Sequence, residues 1–528
     1  MKLAKFTCTV LLAGGAFLLP AAPASAQSED RNVTLKSFDG FTQLRGKLVD
    51  FDGSTYTIDT VLGVIQVDAL QVDCEGPACP QDVLFNAAFG IYGSNTVGAE
   101  LMPALIEGYA DSIDATMVSE LQSNQKTTLR IIHEDGREMA AIDLDASGSS
   151  AGFSALSTGG AEIGMSARRA RDAEIQALNV AGMPDPRDTE NEHVLALDGL
   201  IAVVHPTNPV QSLSLEELAL IFSGTVTNWG QIGGRDAPIN LYALQQESGT
   251  FQTFGSLVLA PYDVDITPVA QRFDSNIQLS DAVATDPDGI GVTGAAFERA
   301  ARALPIRQEC GILSYPSNFA MKTEEYPLAR RLYLYAPRKD TTAHARQIID
   351  YAKSSDAQSL ISEAGFVNLE EEQATINSQG GRIVYALTGE TEVSVTLLRE
   401  FLGQVRNAVR LSTTFRFTPG SSQLEPKSQR DAERFANDIA TGRYDGKEIL
   451  LVGFTDSVGQ FDLNRGLSAR RAQVVDTTLR AFAPPEDFAG AQITVLGYGE
   501  LAPVGCNTTL KGRSANRRVE VWLRDRVN

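Results

Sequence analysis

Three short turns in the middle of the chain share one chemistry: Gly93-Ser94-Asn95-Thr96, Gly148-Ser149-Ser150 and Ser248-Gly249-Thr250. In each, glycine lets a ligand approach the backbone, and hydroxyl or amide side chains supply hydrogen bonds. Each precedes an apolar helical pattern: Val97, Leu101, Leu105 and Tyr109 after the first, Phe153 and Leu156 after the second, and Phe251, Phe254 and Val258 after the third. Pro103 is expected to kink the first of these helices. A helix start presents unpaired N–H groups and the positive end of the dipole, so three such turns brought together make an oxyanion pocket with little net positive charge. Singly, Ser and Thr at helix starts are also ordinary caps. Arg168, in a cluster with Arg169 and Arg171, either adds a cation to that pocket or belongs to a solvated face. The candidate anion ligands are therefore Ser94, Asn95, Thr96, Ser149, Ser150, Arg168, Ser248, Gly249 and Thr250.

Two further patterns carry chemistry. Gly148-Ser149-Ser150-Ala151-Gly152 also fits G-x-S-x-G between a strand-like Ile142-Asp143-Leu144 and a helix, the setting of a nucleophile elbow. A serine hydrolase would use Ser150 with His193, His205 or His344, but no glycine-rich oxyanion loop precedes the motif and the two sister turns stay unexplained. Near the C-terminus, Gly453 to Gly459 followed by Leu467 to Ala472 reads as a strand end, a loop and a helix start. Asp456 and Arg471 could meet across that loop, offering an anion-accepting and a cation-accepting group to a zwitterion, or simply fastening loop to helix as a salt bridge. The four His residues have no metal-ligand spacing, and neither a metal site nor a cofactor is expected.

The elements that must position these groups fall into several units, as about 150 residues per domain suggests for 528 residues. Residues 27–84 read as short strands, Val33 to Ser37, Leu44 to Phe51, Thr55 to Thr60 and Gly63 to Val67, with turn pairs Asp39-Gly40 and Asp52-Gly53, predicting a small β-barrel or β-sandwich. From 85 to 368 strand-like runs alternate with amphipathic helices, an α/β texture. One helix there is marked by a Ser214 and Glu217 capping box, a Leu213 and Leu218 staple and Gly224 after its end, and reads as a plain surface helix. Residues 369–410, with Val395, Leu398, Phe401, Leu402 and Val405 at helical spacing, predict a helical connector, and 411–528 a second α/β unit.

Compartment follows from the first residues. Lys2 and Lys5, the apolar run Val10 to Leu19 and Ala24-Ser25-Ala26 predict a secretory signal peptide over 1–26. No later stretch is long and apolar enough to predict a transmembrane segment in the mature chain. Gln27 stands where a lipoprotein would carry its modified Cys, so no lipid anchor is expected. Without Cys8, an even set remains, Cys74, Cys79, Cys310 and Cys506; Cys74 and Cys79 flank a Gly-Pro turn and are expected to pair. A net charge of −21 repels phosphate backbones and excludes nucleic acid as an expected partner.

The turns, in this order and context, resemble the periplasmic phosphate-binding receptors of ABC transporters, a two-lobed α/β class. Gly93 to Gly98, Gly148 to Gly152 and Glu247 to Thr250 resemble that family's three phosphate turns. Ile221-Phe222-Ser223-Gly224, Thr227-Asn228-Trp229, Ile232-Gly233-Gly234, Tyr326-Pro327-Leu328 and Leu332 to Tyr335 are similar to other parts of it. The resemblance implies phosphate or a similar small oxyanion as ligand and leaves open an ABC permease as partner. Two positions depart from the family: Leu244 stands where an Arg would grip the anion, and Ala167 where an Asp would accept the proton of a protonated phosphate.

From 411 to 525 the chain resembles the OmpA-type peptidoglycan-binding domain, through Phe415 to Leu424, Thr455-Asp456, Leu467 to Ala472 and Asn516 to Val521. By that resemblance Asp456 holds the ammonium and Arg471 the carboxylate of a diaminopimelate side chain, Thr455 and Asn464 shape the pocket, and Phe454 replaces a His or Tyr. The combination implies a non-enzymatic anion receptor of a Gram-negative periplasm, tethered to the cell wall and outer membrane region. The alternative is an envelope scaffold whose receptor-like domain docks a protein.

Overall fold

The computed structural model describes residues 31–526 except 38–41, 52–54, 70–71, 81–86, 124, 189, 247, 337–340, 389–393, 419–420 and 422. The expected leader with Cys8, both Asp-Gly turn pairs and Glu247 lie outside these residues. Residues up to Gln81 form one unit and those from Asp82 onward another.

In the first unit, β1 (Asn32–Ser37), β2 (Gln43–Phe51), β3 (Thr55–Thr60), β4 (Gly63–Asp68) and β5 (Val72–Glu75) make an antiparallel sheet in the order β4-β3-β2-β1-β5. Alternate residues Val33 and Leu35 of β1 and Tyr56 and Ile58 of β3 are buried, the period-two pattern of a one-faced sheet. Among the described residues β4 and β5 lie at opposite edges, so the unit is an open sheet where the sequence predicts a barrel or sandwich. Its fifth strand carries Cys74, which is disulfide-bonded to Cys79.

The second unit contains a large mixed sheet. Its strands are β6 (Ala87–Gly93), β7 (Ala115–Ser123), β8 (Lys126–His133), β9 (Glu138–Asp145), β10 (Ile163–Ser166), β11 (Glu192–Val204), β12 (Asn240–Leu244), β13 (Gln271–Phe273), β14 (Gly289–Gly294), β15 (Arg302–Leu304) and, after a small hairpin of β16 (Ile306–Arg307) and β17 (Leu313–Ser314), β18 (Ala329–Tyr335). The order is β13-β12-β14-β11-β18-β10-β6-β9-β8-β7, with β15 on β11. Strand β11 pairs with β18 through Glu192 to Gly199 and with β14 through Leu200 to Val204, so one long strand passes from one half of the sheet to the other. This gives two lobes: parallel β10, β6 and β9 in the first, and parallel β14, β12 and β13 in the second. The helix Leu215–Phe222 has the expected capping box, with Ser214 Oγ accepting from the Glu217 N–H at 3.0 Å, and it packs Leu218, Ile221 and Phe222 into the second lobe. Pro103 falls in the first turn of the helix Met102–Ser112, where proline needs no partner, and a short π-helical turn, Val97–Leu101, precedes it.

The C-terminal sheet runs β19-β20-β23-β21-β22, formed by β19 (Gln373–Thr375), β20 (Val409–Arg416), β21 (Lys447–Gly453), β22 (Gln492–Gly497) and β23 (Arg518–Asp525). Ile449 and Leu451 face helices Pro426–Ala440 and Phe461–Phe482, while Leu450 and Val452 face Leu398, Phe401 and Val405 of the helix Val395–Val405. Because β21 is apolar on both sides, it needs a layer on each. Residues 369–410 are therefore more than the predicted helical connector: they supply edge strand β19 and that second layer. No helix among the described residues is long and apolar enough to cross a membrane.

Candidate functional site

The first two hydroxyl-rich turns lie just beyond the C-terminal ends of parallel β6 and β9, the edge where open α/β sheets bind ligands. Backbone contact forces them together. The Ser94 N–H donates to Met165 O at 2.9 Å and the Gly148 N–H to Gly93 O at 2.7 Å. A Cβ on Gly93, whose φ is 146°, would sit 2.0 Å from Met165 O, so no other residue fits there. Ser149 Oγ accepts from the Ala167 N–H at 3.1 Å, which ties the helix start to the end of β10.

A cleft of about 660 Å³ opens over these turns. It is lined by Ser94, Asn95, Thr96, Ser149, Ser150 and Arg168 from the predicted set, with Ala167 at the position where the resemblance implies an Asp. Arg168 is no solvated bystander: it donates to Ser150 Oγ at 2.9 Å and to both oxygens of Glu174 at 2.7 and 2.8 Å. Burial pushes the Glu174 carboxyl up, but the Arg168 bonds outweigh it and hold the group below its usual range.

The third turn is placed differently. Ser248, Gly249 and Thr250 do not line this cleft, and Gly249 packs so closely on the first turn that a Cβ there would meet Thr96 Cα at 2.6 Å. Thr96 Oγ1 donates to Gly249 O at 3.3 Å, and Thr250 Oγ1 accepts from Asn276 Nδ2 at 3.5 Å. The third turn thus closes the two lobes on each other, while Gln252 and Ser256, further along the same segment, reach the cleft. Leu244 is buried in the second lobe's core.

Sequence reasoning missed Arg330. It lines the cleft from β18, directly across the ladder from Asp198 on β11. Its Nε donates to Asp198 Oδ2 at 3.2 Å, and its Nη2 to Thr96 Oγ1 at 2.8 Å and to Thr253 Oγ1. Arg171, Arg331 and Tyr333 also line the cleft, and among the described residues its lining includes no Asp or Glu. The hydrolase geometry is not assembled: none of the three candidate His residues lines the cleft, and His344 is buried with its Nδ1 2.9 Å from Tyr109 Oη. Among the described residues no cluster could hold a metal ion.

The second site lies at the end of β21. Gly453 and Gly497 are neighbours in the β21–β22 ladder, and a Cβ on either would fall 2.1 Å from Ser468 O or 2.4 Å from the Ala469 N. These two glycines let the long helix press onto the sheet and bring Arg471 beside the Asp456 loop. Asp456 Oδ1 accepts from the Val458 N–H at 3.1 Å, and Asn464 Nδ2 donates to Asp456 O and Val458 O, both at 3.3 Å. The ion pair of Asp456 is with Arg517, at 2.7 Å, and not with Arg471. Arg471 is 7% exposed, lies over the Phe417 ring at 5.4 Å, and has no hydrogen-bond partner for Nε or Nη1 among the described residues. Burial and the Arg517 charge push its pKa down, against the pull of Asp456. Thr455 Oγ1 is likewise buried without a partner. Phe454 turns away from the loop into the core against Phe401.

Comparison with known proteins divides the chain in the same way. The PBP superfamily domain matches residues 121–356, and the OmpA family matches residues 416–517. The phosphate-binding protein PstS of Bacillus subtilis (strain 168) is 28% identical over 244 residues, covering 46% of this chain and 75% of that protein. Outer membrane porin F of Pseudomonas fluorescens is 36% identical over 116 residues, covering 22% of this chain and 34% of the porin. An ABC-type phosphate transport receptor from Vibrio cholerae, known from its crystal structure, aligns over 53% of this chain and 99% of its own, at 25% identity and a TM-score of 0.40.

Proposed function

We propose that this chain, which joins a PBP superfamily domain to an OmpA family domain, is a periplasmic receptor for phosphate or a similar small oxyanion, held non-covalently on peptidoglycan. One observation carries the receptor reading: a cleft at the ends of parallel strands whose lining includes hydroxyls and arginines and, among the described residues, no carboxylate. Donors of both kinds suit an oxyanion, and the helix that starts at Ser149 adds its positive end. PstS, similar over nearly half the chain, is by name a phosphate-binding protein. We assign the anion to Ser94, Asn95, Thr96, Ser149, Ser150 and Arg168, with no covalent step. Ser248, Gly249 and Thr250 act by joining the lobes.

The anchor reading uses the pair of opposite charges at the second site. Asp456, fixed by Arg517, keeps lone pairs for an ammonium; Arg471 has two donors without partners for a carboxylate; Thr455 and Asn464 shape the loop. A diaminopimelate side chain carries both groups. An ABC permease is the partner such a receptor would serve, and a cell wall or outer membrane location of a Gram-negative cell follows from the anchor. The third turn, packed on the first instead of lining the cleft, favours a second reading, an envelope scaffold without a small ligand. Calorimetric titration of the mature chain with phosphate, sulfate and small carboxylates separates them: heat of binding supports the receptor, and silence with all three supports the scaffold.

A further inference from the structure

The two groups that the receptor resemblance leads one to expect, an Arg at position 244 and an Asp at 167, are absent, yet the cleft contains a guanidinium and a free acceptor from other parts of the fold. Resting on the reading of this cleft as an oxyanion site, we propose that Arg330 is its anion-gripping guanidinium and Asn95 Oδ1 its neutral acceptor, so that the site takes tetrahedral dianions whether or not they carry a proton.

Arg330 sits where both lobes meet, on the strand that pairs with β11. Asp198 holds its Nε side, and the hydroxyls of Thr96 from the first lobe and Thr253 from the second hold Nη2. These bonds use Nε and Nη2 and not Nη1, and the residue lines the cleft. A guanidinium fixed from behind by a carboxylate loses little freedom on gripping an anion. Asn95 is 7% exposed, lines the same cleft, and its Oδ1 accepts no hydrogen bond from any described residue. A buried acceptor left unmade is costly, which marks it as a place for a donor that the protein itself does not provide. The proton of a hydrogen phosphate is such a donor. A carboxylate there would accept that proton but repel an unprotonated dianion; a carboxamide accepts the proton through oxygen, or turns to offer its amino group instead. Selectivity for phosphate over sulfate is therefore weak by construction.

The test is calorimetric titration of the full mature chain at pH 8 with inorganic phosphate and with sulfate. The wild type should bind both, with affinities within about tenfold, because no carboxylate among the described lining residues excludes sulfate. Arg330→Lys, which keeps a cation beside Asp198, should weaken both by about 10- to 100-fold, the range of a lost charge-assisted hydrogen bond. Asn95→Asp should keep phosphate and lose sulfate by about 100-fold, through like-charge repulsion. Unchanged affinities in Arg330→Lys, or an unchanged ratio in Asn95→Asp, overturn the assignment. If Arg330→Lys does not fold by circular dichroism, Asn95→Asp, which breaks no ion pair, decides alone. A wild type silent to both anions fails one step earlier and takes down the oxyanion reading together with this one.

Discussion

Cys310 and Cys506 lie 196 residues apart in the chain and are joined by a disulfide. The bond ties the receptor-like domain to the C-terminal domain, and other polar contacts cross between the same two domains. Arg331, which lines the anion cleft, pairs with Glu425 at 2.5 Å; Arg410 pairs with Glu325; and Arg416 donates to Thr323 O at 2.7 Å. The Asp456 loop is touched by the same segment, since Asn507, next to Cys506, accepts from the Ser457 N–H at 3.2 Å. The two domains are thus braced on one another and not beads on a string.

The first prediction concerns this brace. Non-reducing peptide mapping should recover Cys74 with Cys79 and Cys310 with Cys506. Replacing Cys310 and Cys506 together by Ser should lower stability by about 3 to 5 kcal/mol, as expected for a long closed loop. Free thiols at 310 and 506, or an unchanged melting temperature, would contradict it.

Arg471 should be nearly dispensable for stability. Its Nε and Nη1 have no hydrogen-bond partner among the described residues and burial disfavours its charge, so Arg471→Leu is expected to leave the melting temperature unchanged or raise it. Arg517→Leu should do the reverse, costing about 3 kcal/mol by stranding Asp456. Thermal melts of the two variants check this, and a lower melting temperature for Arg471→Leu than for Arg517→Leu would refute it.

The seam should weaken in acid. Burial pushes Glu324, Glu325 and Glu520 up, but the charges of Arg331 and Arg416 on the first, of Arg410 and Arg518 on the second, and of Arg382, Arg410 and Arg518 on the third prevail and hold all three carboxyls below the ordinary 4.5. A carboxyl whose pKa is depressed by folding contributes stability above its unfolded value and loses it as pH falls toward the folded one. His193 adds to this: burial, with Lys353 and Arg430, pushes its pKa from 6.5 down to about 3, so between those values the unfolded chain binds the extra proton and stability again falls with pH. Denaturant melts should show stability declining from pH 6.5 downward and more steeply below 4.5, with His193→Asn flattening the upper part. A profile flat from pH 7 to 4 would contradict both.

How much of this was legible in the sequence depends on the distance over which each group finds its partners. The turns at Ser94 and Ser149 were readable because glycine, hydroxyl and helix start are neighbours in sequence, and the Ser214 capping box spans four residues, Ser214 to Glu217. Arg330 was not readable: its partners Thr96, Asp198 and Thr253 come from other segments. The same holds for Asp456, whose cation is Arg517 and not the nearer Arg471. The third turn was recognisable as a turn, but its role in closing the lobes depends on an approach to Thr96 that only the fold creates. Residues 369–410 showed their helical period, and missing from that pattern was the strand β19, three residues long.

The central claim, an anion receptor held on the wall, is tested most directly by asking whether the protein carries phosphate into a peptidoglycan pellet. Purified peptidoglycan is incubated with radiolabelled phosphate and the mature chain, at a temperature where all variants are folded, and sedimented. The wild type should bring both protein and label into the pellet. Arg471→Leu and Asp456→Asn, each leaving one ligand charge unmatched at a cost of about 2 to 5 kcal/mol, should leave both in the supernatant, with phosphate still bound to the protein there. Wild-type sedimentation by either variant, or a wild-type pellet that contains protein without label, would contradict the account.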